Sequence, residues 1–185
     1  MLYMEHNNYN ISLEILGCLM KKERHIRELS RVLEKNHMTV KRAAEDLVKN
    51  KILDFEYFGK NKVFSLKKNI ESRSKILEYE IYKQTKIISE YPILRKIFDE
   101  IIKNKKIGLA LLFGSYAKNT AHNKSDIDLY VETENLGLKK ELENLNSKIS
   151  VKIGKFNRDS LLIKEIIDNH VIIKDFEKYY EKTND

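Results

Sequence analysis

Two aspartates one residue apart, Asp126 and Asp128, lie in the run Ser125-Asp126-Ile127-Asp128-Leu129-Tyr130-Val131. Before them an apolar run, Lys106 to Phe113, leads straight into Gly114-Ser115. Acids alternating with Ile127 and Leu129 read as a strand, on which side chains at i and i+2 face the same way, about 6.6 Å apart along it. The spacing therefore predicts that Asp126 and Asp128 converge on one site while Ile127 and Leu129 point into a core. Paired carboxylates on a rigid strand suit Mg2+ or Mn2+, hard cations that take oxygen ligands and substrate phosphates. Gly114 would let the backbone approach a triphosphate closely. Ser115 and the amides after it would donate to phosphate oxygens, and Lys118 would add a charge.

The elements that must position these groups are two strands joined by a short helix. The stretch LLFGSYAKNTAHNKSDIDLYVET (111–133) closely resembles the signature of the DNA polymerase beta superfamily of nucleotidyltransferases in its minimal form. That signature is an apolar strand, Gly-Ser, a short helix, then Asp-x-Asp on the next strand. The resemblance covers about 106–173, with a further helix, a third strand near 149–156 and a C-terminal helical tail. It implies transfer of a nucleoside monophosphate from a magnesium-bound triphosphate to a hydroxyl. Asp126 and Asp128 would be the catalytic metal ligands, and Gly114, Ser115 and Lys118 the nucleotide-binding residues. Two departures stand out. Members usually show Arg-Gly where Lys118-Asn119 stands, which keeps the charge but loses the two-pronged donor. The family's third carboxylate normally lies on the strand that here reads Ile149-Ser150-Val151-Lys152-Ile153-Gly154-Lys155-Phe156, which contains no acid. Lys152 aligns with that carboxylate, and Glu143 and Asp159 fall outside the strand. Its loss threatens activation of the attacking hydroxyl more than nucleotide binding.

Ahead of this lies a different pattern. Ile11, Ile15, Leu16, Leu19 and Met20 share a helical face over 11–20, with Ser12 or Asn10 available as N-cap. Ile26, Leu29, Val32 and Leu33 predict a second helix over 25–35. Val40, Ala43, Ala44, Leu47 and Val48 predict a third after a break at Asn36-His37. From Ile52 the period becomes extended, and Ile52–Phe58 and Asn61–Leu66 flank Gly59-Lys60 as a hairpin with a basic tip. Three helices and a two-stranded ribbon make a winged helix-turn-helix, and residues 37–66 resemble the recognition helix and wing of many prokaryotic transcriptional regulators. Double-stranded DNA is the implied partner. Thr39, Lys41, Arg42 and Lys49 would face the major groove from the third helix, and Lys60 and Lys62 would extend the positive surface to the wing. Arg42 could read a guanine edge, while the lysines hold phosphates. Glu45 and Asp46 on the same helix would repel phosphate and fit a protein-contact face instead.

Between the two patterns, residues 68–90 carry Ile70, Leu77, Ile81 and Ile88, read as an amphipathic stripe. Pro92 then precedes a second stripe of Ile93, Leu94, Ile97, Phe98, Ile101 and Ile102. The first could space domains or form a homodimer. The expectation is an α+β chain with a winged helix-turn-helix over 1–68, a helical linker over 69–104, and a small mixed-sheet nucleotidyltransferase-like domain over 105–185.

The whole chain bounds these readings. Its 185 residues are 42% hydrophobic and 34% charged, with one proline and one cysteine. No run approaches the roughly 18 apolar residues of a membrane span, and the N-terminus lacks a secretory pattern, so a cytoplasmic protein is expected. Cys18, alone in an apolar helical pattern, excludes an internal disulfide and a cysteine-built zinc site. His25, His37 and His170 read as element-boundary residues. The net charge of +7 lies mostly in 1–104, with 21 Lys+Arg against 15 Asp+Glu. An alternative to a competent transferase is a catalytically weak or silent nucleotide-binding regulator, which the missing carboxylate favours. Another is an antitoxin-type minimal nucleotidyltransferase paired with a helical ribonuclease.

Overall fold

A computed structural model describes residues 2–184, and the chain divides into two compact units, one running up to Tyr82 and the other from Lys83. The first is a winged helix: α1 (Leu2–Leu19), β1 (Arg24–His25), α2 (Ile26–Leu33), α3 (His37–Lys49), β2 (Leu53–Phe58) and β3 (Asn61–Leu66), with sheet order β1-β3-β2. Ile11, Ile15, Leu16 and Leu19 are buried with Leu29, Val40, Ala43, Ala44, Leu47 and Phe64, as the helical spacing requires. Met20 is exposed, because α1 ends before it. The cap expected at Asn10 or Ser12 does not form. Both lie inside α1, where the preceding turn already accepts from their amides. His25 caps α2 by accepting from the Glu28 amide, and Asn36 caps α3 by accepting from Met38. In the hairpin Phe58 pairs with Asn61, leaving Gly59-Lys60 as a two-residue loop that needs the positive φ of 61° at Gly59.

In α4 (Ile70–Glu90) the expected apolar stripe is not the buried one. Ser72, Ile76, Glu80 and Ile87 are buried, whereas Ile70 and Ile81 are exposed. A count of apolar side chains misses this face because Ser72 is buried with its hydroxyl donating to the Ile52 carbonyl at 2.6 Å. Both units draw on α4, since the division falls at Tyr82 within it, and the second unit takes up α5 (Leu94–Lys103) after Pro92.

The second unit is built on a four-stranded mixed sheet of order β6-β5-β4-β7. After β4 (Leu109–Phe113) come α6 (Gly114–Ala117), β5 (Ile127–Glu132), α7 (Gly137–Glu143), β6 (Ile149–Ile153), α8 (Leu161–Asp168), β7 (Val171–Lys174) and α9 (Phe176–Asn184). β4 pairs antiparallel with β5 and β7, and β5 runs parallel to β6. The tail expected to be helical thus contains a fourth strand, β7, whose apolar run is too short to be told from a helix segment by pattern alone. Alternation sorts the sheet's two faces. Ala110, Leu112, Ile127, Leu129, Val131, Ile149 and Val151 pack with α5 and α7. Leu109, Leu111, Phe113 and Tyr130 pack with Ile163 and Ile166 of α8 and Tyr179 of α9. Asp128 shares the second face. Glu132, on that face too, accepts from Lys178 at 2.8 Å and Lys182 at 3.0 Å, tying α9 to β5. Among the described residues, no helix is long and apolar enough to cross a membrane.

Candidate functional site

β4 ends at Phe113, which the register places opposite Asp128. The chain turns at once, and Gly114 takes φ 70°. A Cβ there would run into the Asp128 carboxylate. Glycine is thus demanded twice, by the left-handed backbone and by the close approach. Those two demands bring the Gly-Ser turn and the Asp-x-Asp segment together. Ser115 follows in α6, where the amides of Lys118, Asn119 and Thr120 donate to Gly114, Tyr116 and Ser115 at 3.1, 3.0 and 2.9 Å. Tyr116 anchors the turn by packing edge-on to Tyr91, with ring centroids 4.8 Å apart. Asn119 has φ 56°, a left-handed conformation that asparagine tolerates better than most side chains.

β5 begins at Ile127, so Asp126 stands one residue before the strand rather than within it. It is exposed and Asp128 is half-buried. Burial pushes the Asp128 carboxyl above its ordinary value, the charges of Asp126 and Glu165 add to this, and Lys152 and Lys118 oppose it. Lys152 lies on the same sheet face as Asp128, opposite Tyr130, while Ser150 pairs directly with Asp128. Lys118 is held by Glu165 of α8, Nζ to Oε1 3.0 Å. Sequence reasoning missed Glu165. It stands 37 positions beyond Asp128, and only the docking of α8 on the sheet places it here. No local pattern marks it.

On the winged helix, a groove of about 350 Å³ lies between the start of α2, α3 and the wing. It brings together Lys41, Lys60 and Lys62 and adds His25, Arg27 and His37, which the helix-and-wing reading had not assigned. Glu45 also lines it, 3.9 Å from Lys41, and this ion pair offsets the repulsion that an isolated acid would exert on phosphate. Lys62 Nζ sits over the Phe55 ring, 3.8 Å from its centroid, so its stem is fixed. Arg42 and Lys49 are exposed, Thr39 is partly so, and all three lie on α3 outside the groove lining.

Residues 95–178 match the family model described as polymerase beta, nucleotidyltransferase. The second unit carries a polymerase beta-type nucleotidyltransferase domain. Two solved structures share part of the chain. One is the adhesin competence repressor of Streptococcus pyogenes, 19% identical over 47% of this chain and 66% of that one, with a TM-score of 0.40. The other is a toxin-antitoxin structure with AMP-PNP, 23% identical over 49% of this chain and 77% of that one, with a TM-score of 0.35. No curated protein matches the sequence.

In the nucleotidyltransferase domain, Asp128 faces the end of β4 with Asp126 two residues before it, and no acid stands on β6 beside them. Among the described residues, no group of three His, Cys, Asp or Glu side chains is arranged to hold a metal ion. The donor set still fits one hard divalent cation. Two neighbouring carboxylates, one raised by burial and by the other's charge, are relieved by a cation whose remaining positions go to water and phosphate.

Proposed function

We propose that the nucleotidyltransferase domain binds a nucleoside triphosphate with one divalent cation, Mg2+ or Mn2+, and transfers its nucleoside monophosphate to a hydroxyl, while the winged helix holds double-stranded DNA. Asp126 and Asp128 would hold the cation, which when bound neutralises the polyphosphate and polarises the phosphorus under attack. Gly114 and the α6 amides would receive phosphate oxygens, with Ser115 and Lys118 donating beside them. The acceptor oxygen would bond to the α-phosphorus as the α–β bridging bond breaks. Pyrophosphate leaves with the electron pair, and the hydroxyl proton goes to water, since β6 presents Ser150 and Lys152 where a carboxylate would take it. The observation that carries this reading is Gly114, whose missing Cβ makes room for the Asp128 carboxylate. The test is incubation with α-labelled nucleoside triphosphates, Mg2+ or Mn2+, and hydroxyl acceptors. A labelled adduct and pyrophosphate, both lost in Asp126→Asn with Asp128→Asn, are expected. Equal labelling by the double variant would overturn the assignment of the acids.

A second reading is favoured by Lys152, whose charge reaches Asp128. An ammonium on that sheet face takes up part of the carboxylates' charge and stands on a strand with no acid to activate an acceptor. The domain would then bind nucleotide as a regulatory ligand without turnover. Lys152→Asp separates the readings. If Lys152 blocks a second cation, the variant binds a second Mn2+ and turns over about tenfold faster or more. If Lys152 is a bystander, neither quantity moves.

The DNA reading rests on the groove in which Lys41, Lys60, Lys62, Arg27, His25 and His37 line one concave surface between α3 and the wing. Such a surface follows a phosphate backbone, and Arg42, on the exposed face of α3, would reach base edges.

A further inference from the structure

The Lys118–Glu165 ion pair joins the Gly-Ser turn to α8 across 47 positions of sequence. Lys118 is the C-cap of α6, so its backbone is fixed by the same turn that sets Gly114 beside Asp128. Glu165 lies in the last turn of α8, where Ile163 and Ile166 fix the helix on the sheet face that carries Asp128. Both side chains are about half exposed, 40% and 51%, so either can swing away without unfolding anything. Of three carboxylates at the start of β5, Asp126 and Glu165 thus act on Asp128, as do the ammoniums of Lys118 and Lys152. Two of the carboxylates suit a cation. The third is engaged with the one ammonium that a polyphosphate would need.

We propose that Glu165 is a positioning residue that competes with polyphosphate for Lys118 and, once displaced, makes nucleotide binding depend on a cation. This rests on the phosphate-binding role of Lys118 given under Proposed function. While the site is empty, Glu165 holds the ammonium. A polyphosphate that draws Lys118 away leaves a third carboxylate uncompensated beside Asp126 and Asp128. Metal-free nucleotide is then repelled, whereas a nucleotide arriving with its cation is accepted. The apparent affinity falls by the fraction of Lys118 that is free. For a half-exposed pair that fraction corresponds to about a two- to fivefold effect. Only ligands whose phosphates reach Lys118 feel it.

The test measures ATP and adenosine binding by equilibrium dialysis, in Mg2+ and in EDTA, for the full chain and for Glu165→Gln, Lys118→Met and the double variant. Glu165→Gln should bind ATP about two- to fivefold tighter in Mg2+, with a larger gain in EDTA and none for adenosine. In the Lys118→Met background the same substitution should give no gain in Mg2+. A gain of equal size in both backgrounds would reduce Glu165 to a through-space charge and overturn the competition. So would unchanged ATP affinity in Glu165→Gln while Lys118→Met weakens binding. If Lys118→Met leaves ATP binding at the native level even with Glu165→Gln present, the phosphate role of Lys118 itself fails, a result distinct from failure of the competition. Glu165→Asp, which keeps the charge on a shorter arm, should recover cation dependence but only part of the competition.

Discussion

Gly114 concentrates the residue-scale argument, because one absent methyl group lets two separate motifs share a site. Gly114→Ala places a Cβ where the Asp128 carboxylate stands and strains a φ of 70°. A cost of about 1–3 kcal/mol in stability and the loss of nucleotide binding are expected, measured by urea denaturation and dialysis. A variant of native stability and affinity would show that the turn has no role. Asp128 offers a pH signature. Burial and the neighbouring Asp126 raise its carboxyl, so between the ordinary aspartate value and the raised one the folded chain keeps a proton that the unfolded chain has released. Stability therefore falls as pH rises through that window. Glu132 shifts the other way: burial raises it, but hydrogen bonds from Lys178, Lys182 and the Phe156 amide outweigh that and hold it low. Its contribution is present above the ordinary carboxylate value and is lost as pH falls toward its lowered one, so only a difference measurement isolates Asp128. Asp128→Asn should melt a few degrees higher than the native chain at pH 7 and level with it at pH 4. Equal melting at both would contradict the assigned repulsion. Much at this scale was legible from sequence, since Gly-Ser and Asp-x-Asp are local patterns with a strand period. Glu165 was not, because no local pattern reports which helix residue docks over a distant strand.

At the scale of elements, legibility followed the strength of the hydrophobic period. α2, α3 and the β2–β3 hairpin lie within a residue or two of their expected bounds, because buried Leu29, Val40, Ala44, Leu47 and Phe64 repeat at helical or alternate spacing and Asn36 and Gly59 mark the breaks. α4 misled, because Ser72 and Glu80 occupy its buried face and Ile70 and Ile81 its exposed one. β7 escaped notice because Val171, Ile172 and Ile173 are only three apolar residues, and their strand character comes from pairing with β4. The groove between α3 and the wing, together with the exposed face of α3 beside it, yields a prediction that belongs to elements rather than to any one side chain. Arg42→Ala with Lys60→Ala removes one cation from α3 and one from the wing tip. DNA affinity should fall, and the slope of its logarithm against log salt should flatten by roughly one unit per lost phosphate contact. Filter binding across a salt series checks this, and an unchanged slope would take the wing out of the interface.

At the scale of the whole molecule, two units have separate cores, and the sequence had already divided the charge. The excess of Lys and Arg lies in the part that holds the winged helix, whereas residues 105–185 carry 14 Lys+Arg against 13 Asp+Glu. A near-neutral domain that concentrates acids at one turn is suited to a cation–polyphosphate pair, and a basic module is suited to DNA. Substitutions in one unit's site should then leave the other unit's binding intact: Arg42→Ala with Lys60→Ala keeps native nucleotide affinity, and changes at Asp126 and Asp128 keep native DNA affinity. The most direct measurement is calorimetric titration of the full chain with ATP, with and without Mg2+, comparing the native protein with Asp126→Asn plus Asp128→Asn, each confirmed folded by circular dichroism. The native chain should bind ATP only when Mg2+ is present, and the double variant should lose that Mg2+-dependent binding while its fold is kept. Mg2+-dependent affinity of native strength in the folded double variant would contradict the account, because the two aspartates would then not be the residues that hold the cation.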